Sequence, residues 1–497
     1  MGFIQKDAFR TMIINYLGLL LGYLNKGILF VLILSTEEIG LVNLILSVGL
    51  LFAQLANLGA INAIAKFLPF FKDDSNRKQS FLIFNLFFVF GGIILFTAVV
   101  ILLQNQIIEF YTSKSKLFVE YYFWVIPIGI ANVLFLVFES YLKSIFKNIL
   151  AVLMYEFFLR LCITLLLTIL AFDYINFKWF FILHCLVYFI PSLVLFIYLL
   201  RLNELKIQKT SLKISRKFKK IIFTFSLFSY SNTIGALLVM TLDALMIAYY
   251  LGLKETGVYT TIIYLTSALQ IPFKSLFRIT SPLIPLYWRE KNLIKMKEIY
   301  TKVSTISLII GLFMFSLVWL SRNEIFAFLP NEYLQGIWVF LFLMIGRVFD
   351  MYSGLNAIIF ITSKKYKYDL IFTLSLPLLV FFLNNWLIPL YGITGAAIST
   401  GLGLVLSNLG RMIFVFFSFK LHPLNLNQLW IFLIFVITFI ILEFVALLQF
   451  DYIFKIFVNS FCISILFLGS IYLLKLEPEI NNYVKKGFNF VFKKSIK

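Results

Sequence analysis

Apolar stretches of about 20 residues follow one another along almost the whole chain, broken by short polar connections. A helix of that length crosses the hydrocarbon core of a bilayer. The pattern predicts fourteen spans, at roughly 11–34, 40–64, 81–103, 117–142, 149–172, 179–200, 221–250, 257–280, 303–320, 336–360, 369–389, 393–418, 429–448 and 453–474. They leave no stretch for a sizeable soluble domain. The fold class is therefore all-α and integral to a membrane, and a chain spent on spans normally moves something across the bilayer.

Charge sorts the connections into two sets. One holds Lys6 and Arg10; Lys66, Lys72, Arg77 and Lys78; Lys143 and Lys147; eight basic residues from Arg201 to Lys220; five from Arg289 to Lys302; Lys364, Lys365 and Lys367; Lys420; and the tail from Lys475 to Lys497. The other holds Lys114, Lys116, Lys178, Lys254, Arg322 and Lys455. Basic loops stay in the cytoplasm, so both termini are expected there, in keeping with an even number of spans. The apolar run after the short charged N-terminus is too long for a signal peptide and reads as a retained first helix.

Composition agrees: 61% apolar, 13% charged and a mean hydropathy of +0.97. The net charge of +20 sits in links between spans, which excludes nucleic acid as the reason for it. Cys162, Cys185 and Cys462 fall inside spans without metal-ligand spacing and read as buried packing residues. His184 and His422 likewise lack a partner at such spacing, so no metal or cofactor is expected. There is no phosphate-binding loop of the ATPase type, no nucleophile elbow and no long loop on the charge-poor side. An enzyme is not supported.

The basic link 201–220 follows span six and divides the first twelve spans into two sets of six. A repeat supports that division. Glu38-Ile39-Gly40-Leu41, where the second span begins, returns as Glu255-Thr256-Gly257-Val258 at the eighth, 217 residues on. Each glycine is expected at a turn between spans that needs positive φ. Six is even, so both halves start on the same side and the repeats are parallel, related by an axis along the membrane normal.

The stretch Thr36-Glu37-Glu38-Ile39-Gly40-Leu41-Val42-Asn43-Leu44, its echo from Leu242-Asp243 to Gly257-Val258-Tyr259, and Tyr391-Gly392-Ile393-Thr394-Gly395-Ala396-Ala397 before span twelve carry a resemblance over nearly the whole chain. The layout resembles the multidrug/oligosaccharidyl-lipid/polysaccharide (MOP) exporter superfamily, and within it the Wzx-type polysaccharide flippases. The resemblance implies two parallel six-helix lobes in a V, residues 1–200 and 221–418, joined by the basic linker 201–220, with two further helices and a basic tail in 419–497. It implies a multi-pass protein of the bacterial cytoplasmic membrane. Its job would be to move a polyprenyl-pyrophosphate-linked oligosaccharide, an O-antigen or capsule unit, to the periplasmic leaflet by alternating access. Partners would be the anionic lipid-linked glycan, membrane lipids, a coupling ion (H+ or Na+) and the glycan polymerase or glycosyltransferases of the same pathway. A multidrug-type cation-coupled antiporter and a lipid II flippase share the architecture and stay open as alternatives.

Charges at membrane depth cost about 2.5–3.5 kcal/mol on insertion scales and so face protein or a wet cavity. Lys274, Arg278 and Arg411 stand near span ends and read as snorkelling to the interface. Lys26, Arg160 and Arg347 are the candidates for an anionic headgroup. Asp243, Asp350 and Glu156 are the candidates for ion coupling or gating. Two pairs admit either reading, since Glu156 and Arg160 (i, i+4) and Arg347 and Asp350 (i, i+3) can each close within one helix. Glu139 reads as structural beside Lys143, and Glu443 lacks a local partner. Ser226, Ser229, Ser231, Asn232, Thr233 and Thr241 make span seven polar for its depth, and Gln54, Asn57 and Asn62 do the same for span two, so both are expected to line a cavity. Lys26 and Asp243 stand 217 residues apart, at matching places in spans one and seven, and are expected to pair across it. For the topology, an impermeant thiol reagent applied to intact cells is expected to leave cysteines placed in 201–220 unlabelled; labelling there would reverse the orientation.

Overall fold

The computed structural model describes residues 2–71, 74–205, 216–445 and 452–478. Most of the basic linker and the tail beyond residue 478 lie outside the described residues. Thirteen described helices are long and apolar enough to cross a membrane: α1 (Arg10–Ile33), α2 (Thr36–Ala56), α3 (Asn76–Leu102), α4 (Lys116–Ser144), α5 (Ile149–Ala171), α6 (Phe177–Arg201), α7 (Lys220–Tyr250), α9 (Leu293–Leu320), α10 (Asn331–Ser353), α11 (Tyr366–Tyr391), α12 (Ile393–Phe419), α13 (Leu426–Phe444) and α14 (Phe454–Leu473). The remaining predicted span, α8, is interrupted. It runs as Leu253–Thr266, a 3-10 turn at Ser267–Gln270 and Ile271–Thr280, with Pro272 opening its last segment.

Span two also departs from the sequence reading. Helix α2 stops at Ala56, and the chain resumes as Ala60–Phe67 after Leu58 (φ 47°) and Gly59 (φ 84°). Asn57 closes the break: its Nδ2 donates to Gln54 O (2.5 Å) and its Oδ1 accepts from Gly59 N (2.9 Å). Such a break is tolerated at membrane depth because the freed backbone groups find partners inside the protein. Asn57, fully buried, therefore serves the backbone.

The contacts divide the chain into two compact units. Unit 1 is Met1–Leu265 with Val380–Ala396, and unit 2 is Thr266–Leu379 with Ala397–Lys497. Helices meet at glycines, as expected where lipid removes the hydrophobic drive for association and close packing replaces it. In unit 1, a methyl group on Gly49 of α2 would lie 2.4 Å from Ile128 of α4, and one on Gly129 would lie 2.2 Å from Phe52. A methyl on Gly18 of α1 would lie 2.1 Å from the carbonyl oxygen of Glu156 in α5. In unit 2, Gly346 of α10 meets Gly401 of α12 in the same manner, 2.8 Å from its Cα.

Ion pairs tie helix ends. Lys78 reaches Glu204 (2.7 Å), which also accepts from Tyr141 (2.7 Å). In unit 2, α13 and α14 are pinned to the segment after α9 by Arg322–Glu443 (2.9 Å) and Lys455–Glu324 (3.0 Å). Glu443 thus has its partner, 121 residues away in sequence. Arg411 binds Asp369 (3.1 Å), so its charge is met inside the protein rather than by reaching the interface. Gly18→Val is expected to overpack the α1–α5 contact by about 1–3 kcal/mol, seen as a lower melting temperature of the purified protein in detergent.

Candidate functional site

Unit 1 gathers Lys26, Arg160 and Glu156 where α1 packs on α5. Both helices carry a π-turn at this point, Leu24–Leu29 and Leu153–Phe158, which re-aims the side chains that follow. Lys26 lies in the first and Glu156 in the second. Arg160 donates from Nη2 to Glu156 Oε2 (2.6 Å) and from Nη1 to Gly18 O (2.5 Å). The i, i+4 pair is therefore closed, with both side chains about one-third exposed (28% and 35%). Asn25 fastens the junction by donating to Arg160 O (2.8 Å) and accepting from Thr164 Oγ1 (2.7 Å).

Lys26 makes no ion pair among the described residues. Its Nζ donates to Asn43 Oδ1 (3.0 Å) and lies 5.7 Å from the centre of the Tyr264 ring. Asn43 in turn donates to Thr260 Oγ1 (3.1 Å) and to Ile39 O (3.0 Å). Lys26 is thus a cation held by neutral groups, with Arg160 in the same region.

Asp243, on α7, is 3% exposed. It accepts from Tyr259 OH (2.5 Å) and Asn384 Nδ2 (2.8 Å). Asn384 Oδ1 beside it is buried with no hydrogen-bond partner. Asp243 and Lys26 do not pair in this structure, because the lysine is taken up by Asn43 and the aspartate by Tyr259 and Asn384.

In unit 2, Arg347 and Asp350 do not close on one another. Gln270, from the interrupted part of α8, stands between them: it accepts from Arg347 Nη1 (3.3 Å) and donates to Asp350 Oδ2 (3.0 Å). Asn408 of α12 donates to Asp350 Oδ1 (2.9 Å) and accepts from Ser353 Oγ (3.0 Å) and Asn356 Nδ2 (3.2 Å). Asp350, Asn408, Lys274 and Arg411 line a small cavity of about 210 Å³. A second cavity of unit 2 is different in kind. It is an apolar groove of about 910 Å³ between α9, α10 and α13, lined by Leu312, Phe315, Ile345, Phe432 and Phe435, with Gln428 among its few polar neighbours.

Comparison with solved structures places this arrangement in a known fold. A lipid II flippase, MurJ, in an inward closed conformation aligns with a TM-score of 0.68 at 14% identity, over 95% of this chain and 99% of that one. The chain has the MOP transporter fold. A multidrug resistance MATE transporter of the MOP superfamily, inward-facing, aligns with a TM-score of 0.60 at 15% identity, over 81% of this chain and 97% of that one. A MOP superfamily transporter from Pyrococcus furiosus, described as having a binding pocket of reverse polarity, aligns at 0.55 and 17% identity, over 82% and 94%. No family model matches the sequence, and no curated protein does.

Within the MOP fold, the ionisable residues were visible in the sequence, whereas their neutral partners Asn43, Thr260, Tyr259, Asn384, Gln270 and Asn408 were not singled out for this role. The available signal was an amide or hydroxyl inside an apolar run, which costs enough in lipid to require a partner. Of Gln54, Asn57 and Asn62, expected to line a cavity, Asn62 reaches Thr233 of α7 (3.3 Å). Exchanging the charges, Lys26→Asp with Asp243→Lys, is expected to restore no activity lost in the single variants; recovery of transport in the double variant would show a pairing absent from this structure.

Proposed function

We infer that the chain is a flippase that carries an anionic, polyprenyl-linked oligosaccharide from the cytoplasmic to the periplasmic leaflet. The observation that carries the reading is Lys26. A lysine at membrane depth without a carboxylate partner among the described residues keeps its field for an anion, and a lipid-linked pyrophosphate presents one. Arg160 and Arg347 are the further cationic candidates, Arg160 with a planar donor fork only partly used by Glu156. The apolar groove of unit 2 suits a prenyl tail, which a soluble cationic drug does not possess. Asp243, Asp350 and Glu156 are the candidates for coupling to H+ or Na+. In this reading two six-helix lobes alternate their exposure, both termini lie in the cytoplasm, and glycosyltransferases and a polymerase supply and consume the cargo.

A second reading, a cation-coupled antiporter of the multidrug type, draws on Asp350, whose partners Gln270 and Asn408 are both neutral. Lys26→Gln is expected to cut surface glycan about ten- to a hundred-fold, the loss of one charge-assisted contact. The lipid-linked precursor should collect on the cytoplasmic side at normal protein level, and Lys26→Arg should retain much of the activity. Normal surface glycan in a deletion strain lacking related transporters would sink the flippase reading. Drug hypersensitivity of that strain would favour the antiporter, and complementation of a lipid II flippase depletion would assign a peptidoglycan precursor.

A further inference from the structure

The two halves of the repeat match at α2 and α8. Gly40 and Gly257 are helical rather than in turns, and a methyl on either would lie against the other helix, 2.0 Å from Leu253 O and 1.8 Å from Thr36 O respectively. The halves differ at the third span. Helices α3 and α9 begin 217 residues apart, at Asn76 and Leu293. Only 17% of the apolar stretch of α3 is buried, against 67% of that of α9. In unit 2 two helices outside the repeat make the difference. Phe315 of α9 meets Phe435 and Phe439 of α13, each with ring centres 6.0 Å apart, and Asn459 of α14 donates to Leu320 O (3.0 Å). Unit 1 has no such added pair among the described residues, and α3 there keeps a bare face.

That face holds a groove of about 740 Å³ between α3, α4 and α6. Helix α6 is interrupted at Tyr188, three residues before Pro191, whose ring nitrogen has no hydrogen to give to Val187 O. Phe189 and Ser192, in the segment that follows, line the inner end of the groove. Ser192 spends its hydroxyl on Phe189 O (2.8 Å), and every other lining residue is apolar. Val89 and Phe138 form a buried floor, while Phe87 and Leu193 are exposed walls. An apolar groove open to lipid takes a hydrocarbon chain, and its length says which. It follows α3 from Ile83 to Ile93 and α6 from Phe189 to Leu200, about 15 Å at about 1.5 Å per residue. That is half of a hydrocarbon core of about 30 Å, the depth of a single leaflet.

The other end of the groove, at Leu200 and Leu205, lies on the charge-rich side. Lys78 is closed there on Glu204 (2.7 Å), and Gln79 fixes the turn after α6 by donating to Asn203 O (2.8 Å). Arg201, beside Leu200, is exposed, and no ion pair holds it among the described residues. Arg77 pairs with Asp74 (3.1 Å) in an exposed i, i+3 contact, a kind worth little in water. Both guanidinium groups are therefore open to an anion at the level where a phospholipid carries its phosphate. We propose that this groove is a binding site for an anionic glycerophospholipid of the leaflet on the charge-rich side. One acyl chain lies between α3 and α6, and Arg201 and Arg77 hold the phosphate. The lipid covers α3 as α13 and α14 cover α9. The site uses none of the residues assigned to the cargo and stands whether or not that reading holds.

The test is native mass spectrometry of the full chain, released from detergent after incubation with equal amounts of phosphatidylglycerol and phosphatidylethanolamine bearing the same acyl chains. One phosphatidylglycerol is expected to be retained in preference. Arg201→Gln and Arg77→Gln should each cut that preference about five-fold, the effect of one basic residue facing an anionic headgroup. Leu193→Trp, which fills the groove from its exposed wall, should abolish retention of that lipid; Phe196→Trp, on the same wall, serves if the first variant fails to fold. Lys26→Gln should leave the preference as it is. Equal retention of the two lipids by the parent chain would overturn the proposal, as would a preference that the groove and rim variants leave intact. Loss of the preference in Lys26→Gln alone would place the anionic lipid at Lys26 and overturn it too. A dimer that Leu193→Trp dissociates would put a second copy of the chain in the groove and sink the lipid assignment.

Discussion

Lipid offers no hydrogen bonds, and every polar group placed in it must be satisfied by the protein itself. Much of this structure follows from that constraint. Asn57 spends its side chain on the broken backbone of span two. Asn25 joins α1 to α5 through Arg160 O and Thr164. Gln270 lies between Arg347 and Asp350 as donor and acceptor at once. The same rule explains why helices approach through Gly18, Gly49, Gly129 and Gly346. With the hydrophobic effect absent between helices in lipid, close backbone contact has to supply the cohesion.

Against that background, the charges fall into two classes. Arg322–Glu443, Lys455–Glu324, Arg411–Asp369 and Lys78–Glu204 are closed pairs that tie one segment to another. Removing one partner from such a pair leaves an uncompensated charge and is expected to cost stability first. Lys26 differs: Asn43 holds it and no ion pair does among the described residues, whereas Asp350, though held by amides, shares its cavity with the cations Lys274 and Arg411. A charge held by neutral dipoles stays available to an ion of the opposite sign. Arg160 sits between the classes, closed on Glu156 but still partly exposed. For binding an ion this division matters more than the near balance of acids and bases counted along the spans. Balance says nothing of which charges are already neutralised.

The repeat links sequence to mechanism in a way that neither half shows alone. Two copies of one segment, each beginning a span on the same face, meet through the same residues. Such a contact is economical to evolve by duplication. It also joins α8 to Lys26 through one amide, Asn43, which bonds Thr260 and Lys26 together only in a single orientation.

The all-α class, the succession of membrane-length apolar helices and the ionisable residues within them could be read from the sequence. Each depends on local composition or on the cost of moving charge into lipid, and both act residue by residue. What the sequence left undecided were the partners. Arg347 and Asp350 are three residues apart and looked like a pair, yet Gln270 from another helix separates them. Glu443 looked alone and has Arg322. Lys26 and Asp243 matched by repeat position and remain apart, because Asn43 and Asn384 reach them first. Gly40 and Gly257 were legible as special but were assigned to turns, since a glycine required by a neighbouring backbone and one required by positive φ look alike in sequence. Two π-turns and a broken second span changed the direction of side chains with no compositional mark. Tertiary structure decided these points because they depend on which helices pack together and at what rotation, and an apolar run of the right length is compatible with many such arrangements.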